Sequence, residues 1–256
     1  MIIEYHRPAT LEEALSLLAR PEPLTLPLAG GTVLNQPGSA SVAAVDLQAL
    51  GLDQIQARGN SLELGATLTL QGLVEAAQVQ QSLPALVRAS QHEASYNLRQ
   101  VASLAGTLVA AGGRSPFATA MLALDAVLNI QPGDEQAGLG DWLPLREPRQ
   151  PGRLITSLVI PLHARLAYEY VARTPADRPI VCAALAVWPS GRVRLALGGY
   201  GRTPRLAFDG TEAQGVEIAA SSAYSQAGDE WASAAYRQEV AGVLAKRCLQ
   251  SLNMQA

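Results

Sequence analysis

The chain has 256 residues, 48% hydrophobic and 16% charged, which is typical of a globular protein with one large core or two smaller ones. A net charge of −3 argues against nucleic-acid binding, and no apolar run reaches the roughly 18 residues of a membrane-spanning helix. Residues 1–7 do not resemble a signal peptide, and Cys182 and Cys248 suffice for neither a disulfide framework nor a metal site, so we expect a reduced, cytoplasmic protein without its own iron–sulfur cluster.

Helices and strands are mixed in the first half of the chain. Residues 10–20 predict a helix, because Thr10 can cap its N-terminus and prolines follow its end. Strands are predicted over 24–28, 42–47 and 61–65, and helices over 70–77 and 83–95. Another helix is predicted to begin at Pro116, since proline suits a first helical turn.

The second half begins with residues 131–152, which contain four prolines and four glycines and predict a long loop or linker. After it we predict a strand over 154–160, a hairpin formed by 179–188 and 192–197, and a helix over 229–252. The apolar side of that helix is predicted to carry Trp231, Tyr236, Val240, Val243, Leu244 and Cys248. Because strands and helices do not alternate strictly, the fold class is α+β, with a two-lobed part at 1–161 (lobes about 1–55 and 56–161) and a smaller α+β part at 162–256.

Two glycine-containing turns carry the functional signal. The first is LAGGT at 28–32, and the second is SLAGT at 103–107, continuing to GGRS at 112–115. Glycine allows consecutive backbone N–H groups to converge on an anion, so two such turns could hold the two ends of one diphosphate. Each turn considered singly is weak evidence, because glycine occurs in loops generally and a tight turn that binds nothing is the more common case. The spacing is neither that of a Rossmann turn nor that of a P-loop, and Lys246 is the only lysine.

Other site chemistries find little support. The three histidines lie far apart in the sequence, which favours structural or surface roles over a metal site. No G-x-S-x-G elbow is present, so nucleophilic catalysis is not expected. Tyr168 and Tyr170 are either core aromatics or walls of a cofactor cleft, and Trp231 is either a core residue or an anchor for a partner subunit.

These motifs resemble those of the FAD-binding medium subunit of the molybdenum hydroxylases, the family of xanthine dehydrogenase and carbon monoxide dehydrogenase. LAGGTVL at 28–34 is similar to the first flavin motif, L-A-G-G-T-D-L, and residues 103–126 align without gaps to the second, T-I-G-G-N-x-x-x-x-x-P-x-x-D followed by L-A-L-D-A. Shorter matches at 5–8, 64–67, 154–161 and 197–199 extend the likeness over nearly the whole chain. The resemblance implies a two-lobed FAD-binding domain of the vanillyl-alcohol-oxidase/PCMH type, followed by a smaller α+β domain.

In that family FAD lies extended, with its diphosphate held by both glycine turns. Carried over by position, the first turn would contribute Leu28, Ala29, Gly30, Gly31, Thr32, Val33 and Leu34. The second would contribute Ser103, Ala105, Gly106, Thr107, Val109, Ala110, Gly112, Arg114 and Ser115. Among the second group, main-chain donors are expected at Ser103, Gly106, Thr107, Ala110 and Gly112. By the same resemblance Val109 would lie against the isoalloxazine and Ile155 by the adenine, with Tyr170 at the place of a family lysine.

Four positions depart from the family pattern. Val33 and Pro116 replace acidic residues, Thr107 replaces an asparagine, and Tyr170 replaces the lysine. Each lost side-chain hydrogen bond weakens binding by roughly 0.5–1.5 kcal/mol. Arg114 could offset part of this by pairing with the diphosphate, or it could be a solvated turn residue.

The resemblance implies an FAD-binding electron-transfer subunit, whose flavin needs no protein acid or nucleophile. A large subunit with the molybdenum cofactor would hydroxylate the substrate, and a small subunit with [2Fe–2S] clusters would deliver electrons that leave to NAD or another acceptor. Two alternatives stay open. One is a flavin-free scaffold of the same complex, indicated by the four departures, and the other is a subunit that binds a different diphosphate nucleotide.

Overall fold

The structure, a computed structural model, describes residues 1–34, 41–146 and 151–253. The chain divides into two compact units. The first unit comprises Met1–Leu73, Tyr96–Ala110 and Val127–Val159, and the second comprises Val74–Ser95, Ala111–Ala126 and Ile160–Ala256. The predicted boundary at 161 lies close to the last passage between the units. Two earlier segments, Val74–Ser95 and Ala111–Ala126, nevertheless group with the C-terminal part because they pack on its sheet. The domain limits given above stay a prediction.

A small parallel sheet opens the first unit. Its strands are β1 (Ile2–His6), β2 (Thr25–Leu28) and β3 (Val42–Asp46), in the order β1-β3-β2. Every residue of β3 is buried, as expected for the central strand of a parallel sheet. Helix α1 (Leu11–Leu18) packs beside it through Ala14 and Leu18. The predicted cap is confirmed, since the Thr10 hydroxyl accepts a hydrogen bond from the Glu13 N–H at 3.2 Å.

The second sheet of the first unit has five strands, in the order β4-β5-β8-β6-β7. Its strands are β4 (Ile55–Arg58), β5 (Ser61–Gly65), β6 (Val127–Gln131), β7 (Glu135–Gly138) and β8 (Leu154–Pro161). The helices in the middle of the chain are α2 (Leu70–Glu75), α3 (Ala77–Ser82), α4 (Pro84–Glu93), α5 (Tyr96–Arg99), α6 (Leu104–Ala110), α7 (Pro116–Ala123) and α8 (Leu139–Leu145).

The loop predicted over 131–152 is wrong in its described part, because strand β7 and helix α8 lie within it. Gly133 and Asp134 adopt positive φ angles of 94° and 51°, which turn the chain from β6 into an antiparallel pairing with β7. Composition alone favours a linker or long loop, whereas Gly133 forms part of a tight hairpin. The predicted loop residues 147–150 lie outside the described residues.

The second unit is built on a four-stranded antiparallel sheet in the order β12-β11-β10-β9. Its elements are β9 (Arg165–Val171), β10 (Val181–Val187), β11 (Val193–Gly198), β12 (Arg205–Gly210), α9 (Val216–Ala223) and α10 (Ala234–Asn253). Helices cover both faces: Ala183 and Leu185 share a core with α10, while the Cys182 thiol lies 3.7 Å from the Thr119 hydroxyl of α7. The predicted hairpin is confirmed as β10 paired with β11.

The C-terminal helix is shorter than predicted, and its buried face matches the predicted one only in part. It begins at Ala234, because Asp229 accepts hydrogen bonds from the N–H groups of Trp231 and Ala232 in a turn before it. Tyr236 and Val243 are exposed. The buried residues are Arg237, Ala241, Leu244, Ala245, Cys248 and Leu252. The predicted apolar side is therefore confirmed at Leu244 and Cys248 and wrong at Tyr236 and Val243, and the fully buried Arg237 was not predicted. Within the described ranges, no helix combines the length and apolar character needed to cross a membrane.

Candidate functional site: two glycine motifs

The first glycine motif follows β2 and packs tightly against the chain that enters the second. Gly31 has a φ of +68°, and a Cβ built on Gly30 would lie 1.7 Å from the carbonyl oxygen of Val101. Real side chains do not tolerate such a distance, so only glycine fits at position 30. Val101 lies two residues before Ser103. The first motif and the start of the second, far apart in sequence, are therefore brought side by side within the first unit.

The first motif keeps its backbone donors available to a ligand. In the described chain, no backbone hydrogen bond outside helices and strands uses the N–H of Ala29, Gly30 or Gly31. Thr32 and Val33 are exposed, Val33 by 51%. A row of N–H groups without such a bond, at a half-buried glycine turn, has the chemistry of a phosphate cradle. This part of the motif fits the diphosphate of FAD.

The second motif forms the start of helix α6 rather than an open turn. The N–H groups of Leu104 and Ala105 donate to the carbonyl oxygens of Leu68 and Ala66, at 2.8 and 3.1 Å. Ser103 accepts hydrogen bonds from the N–H groups of Gly106 and Thr107. Its Oγ accepts from Gly106 at 3.2 Å, and its carbonyl oxygen accepts from Thr107 at 2.9 Å. This corrects the expectation that the backbone N–H groups of Gly106 and Thr107 are free. The helix uses them, because Ser103 caps it.

A third short motif, at 64–67, holds the second in place. A Cβ on Gly65 would lie 2.2 Å from the Leu52 carbonyl oxygen, so the backbone of this segment passes closely over its neighbour. The Ala66 N–H donates to Thr156 of β8 at 3.0 Å, and the Ala66 carbonyl accepts from Ala105. One segment thus connects α6 to the five-stranded sheet, which explains why the second motif keeps a fixed position.

The predicted site residues divide between the two units. The first unit contains Leu28–Leu34 and, with them, Ser103, Ala105, Gly106, Thr107, Val109, Ala110 and Ile155. Val109 is half-buried, and its carbonyl accepts a hydrogen bond of 3.1 Å from the largely buried Arg146, which sequence reasoning missed. Ile155 lies in β8 and is buried. Gly112, Arg114, Ser115 and Tyr170 belong to the second unit.

Arg114 is held by the protein itself. Its Nε and Nη2 groups donate to the carbonyl oxygens of Pro179 and Arg178 at 2.9 and 2.6 Å. Its guanidinium lies 4.4 Å from the centroid of Trp231, whose ring also contacts Arg173 at 4.6 Å. Burial lowers the pKa of Arg114 below its usual range. The interpretation as a solvated turn residue is wrong, and the Nε edge of the fork is occupied rather than free for a diphosphate. Trp231 is not a core residue, since 39% of it is exposed.

Ser115 leads to a buried carboxylate that sequence reasoning did not detect. Ser115 caps α7 by accepting the Ala118 N–H at 3.1 Å, and its hydroxyl donates to Oε2 of Glu93 at 2.7 Å. The same oxygen accepts the Phe117 N–H at 3.0 Å. Burial raises the pKa of Glu93 to about 6. The sequence offers no signal for this, because a glutamate at the end of a helix is ordinarily solvated.

The two tyrosines of β9 have different environments. Tyr168 is buried, which confirms the core interpretation for this residue. Tyr170 is half-buried. Its ring centroid lies 5.9 Å from that of the stacked Tyr168 and 4.2 Å from that of His92. A phenol in this position cannot carry the positive charge of the lysine it replaces.

Comparison with known proteins decides the family. Residues 1–163 match the model of the FAD-binding domain in molybdopterin dehydrogenase. The chain belongs to this family. The α+β fold class is confirmed, and the chain is a flavoprotein subunit of the xanthine dehydrogenase and carbon monoxide dehydrogenase type, for which FAD is the cofactor.

Relatives extend the match over the rest of the chain. An uncharacterized protein of Escherichia coli K12, YgfM, is 29% identical over 252 residues, covering 95% of this chain and 94% of that protein. The carbon monoxide dehydrogenase medium chain of Afipia carboxidovorans is 25% identical over 99% of this chain and 97% of its own length. A xanthine dehydrogenase FAD-binding subunit of Escherichia coli O157:H7 is 36% identical over 49% of this chain and 45% of its own length.

Solved structures have the same fold. A chain of a Cu,Mo-CO dehydrogenase superposes with a TM-score of 0.86 at 22% identity, covering 100% of this chain and 99% of that one. A chain of quinoline 2-oxidoreductase from Pseudomonas putida 86 gives a TM-score of 0.78 at 22% identity, with coverages of 97% and 95%.

Proposed function

We propose that this subunit carries electrons within a molybdenum-containing hydroxylase or dehydrogenase, receiving them from the [2Fe–2S] clusters of a small partner subunit and passing them to NAD or another acceptor. FAD, when bound, supplies this chemistry because it accepts and releases electrons one or two at a time. The observation that carries the proposal is the close approach of the first motif to Val101, which brings that motif beside the start of the second one within the first unit. A large subunit with the molybdenum cofactor completes the proposed complex, and its location is the cytoplasm.

Residues of this chain would hold the cofactor in defined ways. The N–H groups at 29–31 would bind the diphosphate, since in the described chain no backbone hydrogen bond outside helices and strands uses them. At the end of α6, Val109 would lie against the isoalloxazine and Ala110 would supply a main-chain donor, while Ile155 would pack by the adenine. Arg146 holds the Val109 carbonyl and so fixes that end of the helix. The side-chain contribution would be small, because Val33 carries no charge.

Two measurements test the proposal. The purified chain should absorb near 450 nm as flavoproteins do, should release FAD on denaturation, and should take up FAD when the apoprotein is titrated. Mixed anaerobically with a reduced [2Fe–2S] partner subunit, its flavin should bleach, and addition of NAD⁺ or a quinone should then identify the acceptor by restoring the colour. A subunit that binds FAD without accepting electrons from the partner would refute the electron-transfer role.

One observation favours the alternative of a flavin-free scaffold: the helix consumes the N–H groups of Gly106 and Thr107. The alternative predicts that the chain joins the partner subunits without taking up FAD. Restoring an acid at 116 is a poor test, since this buried position adjoins the Glu93 carboxylate. Val33→Asp is cleaner because position 33 is exposed. A few-fold gain in FAD affinity agrees with a working site, whereas uptake only in the variant would establish a degenerate one.

A further inference from the structure

Glu93 occupies an unusual place at the end of α4. Its side chain is almost fully buried, and one carboxylate oxygen, Oε2, accepts hydrogen bonds from the Ser115 hydroxyl and the Phe117 N–H. These donors flank Pro116, the first residue of α7. A carboxylate at the N-terminus of a helix, here α7, is favoured by the helix dipole and by the N–H groups that have no partner within the helix. Glu93 therefore fixes both the cap residue and the first turn of α7.

The segment before α7 is fixed on its other side by glycines. The Gly113 N–H donates to the Gly201 carbonyl at 3.1 Å, and the Gly113 carbonyl accepts from the Gly199 N–H at 2.7 Å. A Cβ on Gly113 would lie 2.1 Å from the Tyr200 carbonyl oxygen. Backbone pairing thus sets the path at 113, and Glu93 sets it at 115–117. Together they determine the course of the later part of the second flavin motif.

The charge of Glu93 is poorly compensated. The groups that act on it electrostatically are Arg178 ahead of β10, the Tyr168 phenol of β9 and the Cys182 thiol of β10, with His92 next to it on α4 itself. Only Arg178 is a permanent cation, and it is exposed. Burial raises the pKa of Glu93 to about 6, so its ionised form is unfavourable for folding. A neutral glutamine would fit the same space with less penalty. A group that opposes stability and yet organises a ligand-binding segment is typical of a functional position.

We propose that Glu93 is a positioning residue for FAD: its carboxylate, provided by α4, orients Ser115 and the start of α7 in the motif whose own acidic residue is replaced by Pro116. This inference rests on the proposed function, because it takes Gly112 and Ser115 as part of the flavin site. The ionised form makes stronger hydrogen bonds to both donors than a neutral amide does. The carboxylate does not contact FAD; it acts through the segment it holds.

The test compares FAD dissociation constants, measured by quenching of flavin fluorescence, for the wild type, Glu93→Gln and Ser90→Ala. Ser90 is a matched control, since it is buried on the same helix and donates only to Leu86 of that helix at 2.8 Å. At pH 7.5 we expect Glu93→Gln to weaken FAD binding about five- to ten-fold, as for loss of a charge-assisted hydrogen bond, with the control unchanged. The unfolding free energy of Glu93→Gln should not fall at this pH. A structural role alone would move stability and affinity together.

The pH profile gives a second readout. Lowering the pH to 5 protonates Glu93, so the FAD affinity of the wild type should fall toward that of Glu93→Gln. The FAD affinity of Glu93→Gln itself should not change with pH. If Glu93→Gln does not fold, Ser115→Ala replaces it and should abolish the same pH dependence. Equal affinities of the wild type and Glu93→Gln at pH 7.5 would overturn the proposal while leaving FAD binding intact. A wild-type chain that takes up no FAD would overturn the proposed function and this inference with it.

Discussion

Gly30 offers the sharpest test of the site, because the structure leaves no room for a side chain there. Alanine at this position would put Cβ 1.7 Å from the Val101 oxygen and 2.5 Å from its carbonyl carbon. Since such atoms normally stay at least about 3.2 Å apart, one of the two backbones must move by roughly 1.5 Å. Neither is a flexible side chain that could turn away. Overpacking of this kind costs about 1–3 kcal/mol in folding free energy.

The displacement would act on FAD more strongly than on the fold. Both flavin motifs lie at the clash, so their separation would change by a large part of a hydrogen-bond length. If two diphosphate hydrogen bonds of about 1.5 kcal/mol each are lost, the affinity falls by roughly two decades. We therefore expect Gly30→Ala to fold with reduced stability and to bind FAD about 100-fold more weakly. Urea unfolding and FAD titration measure the two quantities separately.

A matched glycine provides the control. At Gly228, in the second unit, a Cβ would make ordinary contacts of 3.4 and 3.7 Å to Ala234, and its φ is not positive. Gly228→Ala should leave FAD affinity unchanged and stability within about 1 kcal/mol of the wild type. Wild-type affinity in Gly30→Ala would refute the placement of the two motifs, even if the variant were less stable.

Three further predictions concern the second unit. The folded-state pKa of Glu93 is about 6 against an ordinary 4.5. The contribution of this group to folding stability is therefore complete below pH 4.5 and is lost as the pH rises through 6. Relative to Glu93→Gln, the unfolding free energy of the wild type in urea should fall by about 2 kcal/mol between pH 4.5 and 7.5. A flat difference would contradict the burial of this carboxylate. Arg237→Met should destabilise the chain by about 3–5 kcal/mol in thermal or urea unfolding, because it leaves several buried carbonyl groups unpaired, whereas Arg247→Met on the exposed side of α10 should have little effect. Arg114→Lys should lose the paired hydrogen bonds to the Pro179 and Arg178 carbonyls and should lower the free energy of unfolding by about 1–2 kcal/mol. It should also change the fluorescence of Trp231, and an unchanged spectrum would argue against the stacked arrangement.

Sequence alone determined the parts of this protein that depend on neighbours along the chain. Thr10 as a helix cap, Pro116 as a first helical residue and the hairpin of β10 with β11 follow from local chemistry, and the structure has each of them. The two glycine motifs could also be recognised in the sequence, together with the family they indicate, because the residues of each motif are contiguous along the chain.

Tertiary structure decided what each motif residue does. The carbonyl of Val101, 71 positions along the chain, requires glycine at position 30, and the carbonyls of Leu68 and Ala66 accept the N–H groups of Leu104 and Ala105 in the second motif. Glu93 and Arg237 are charged residues that any composition rule places in water, yet partners distant in sequence bury and pair them. The physical reason is the same in each case. Periodicity and capping record short-range preferences, whereas burial and hydrogen-bond pairing depend on which distant segments the fold brings together.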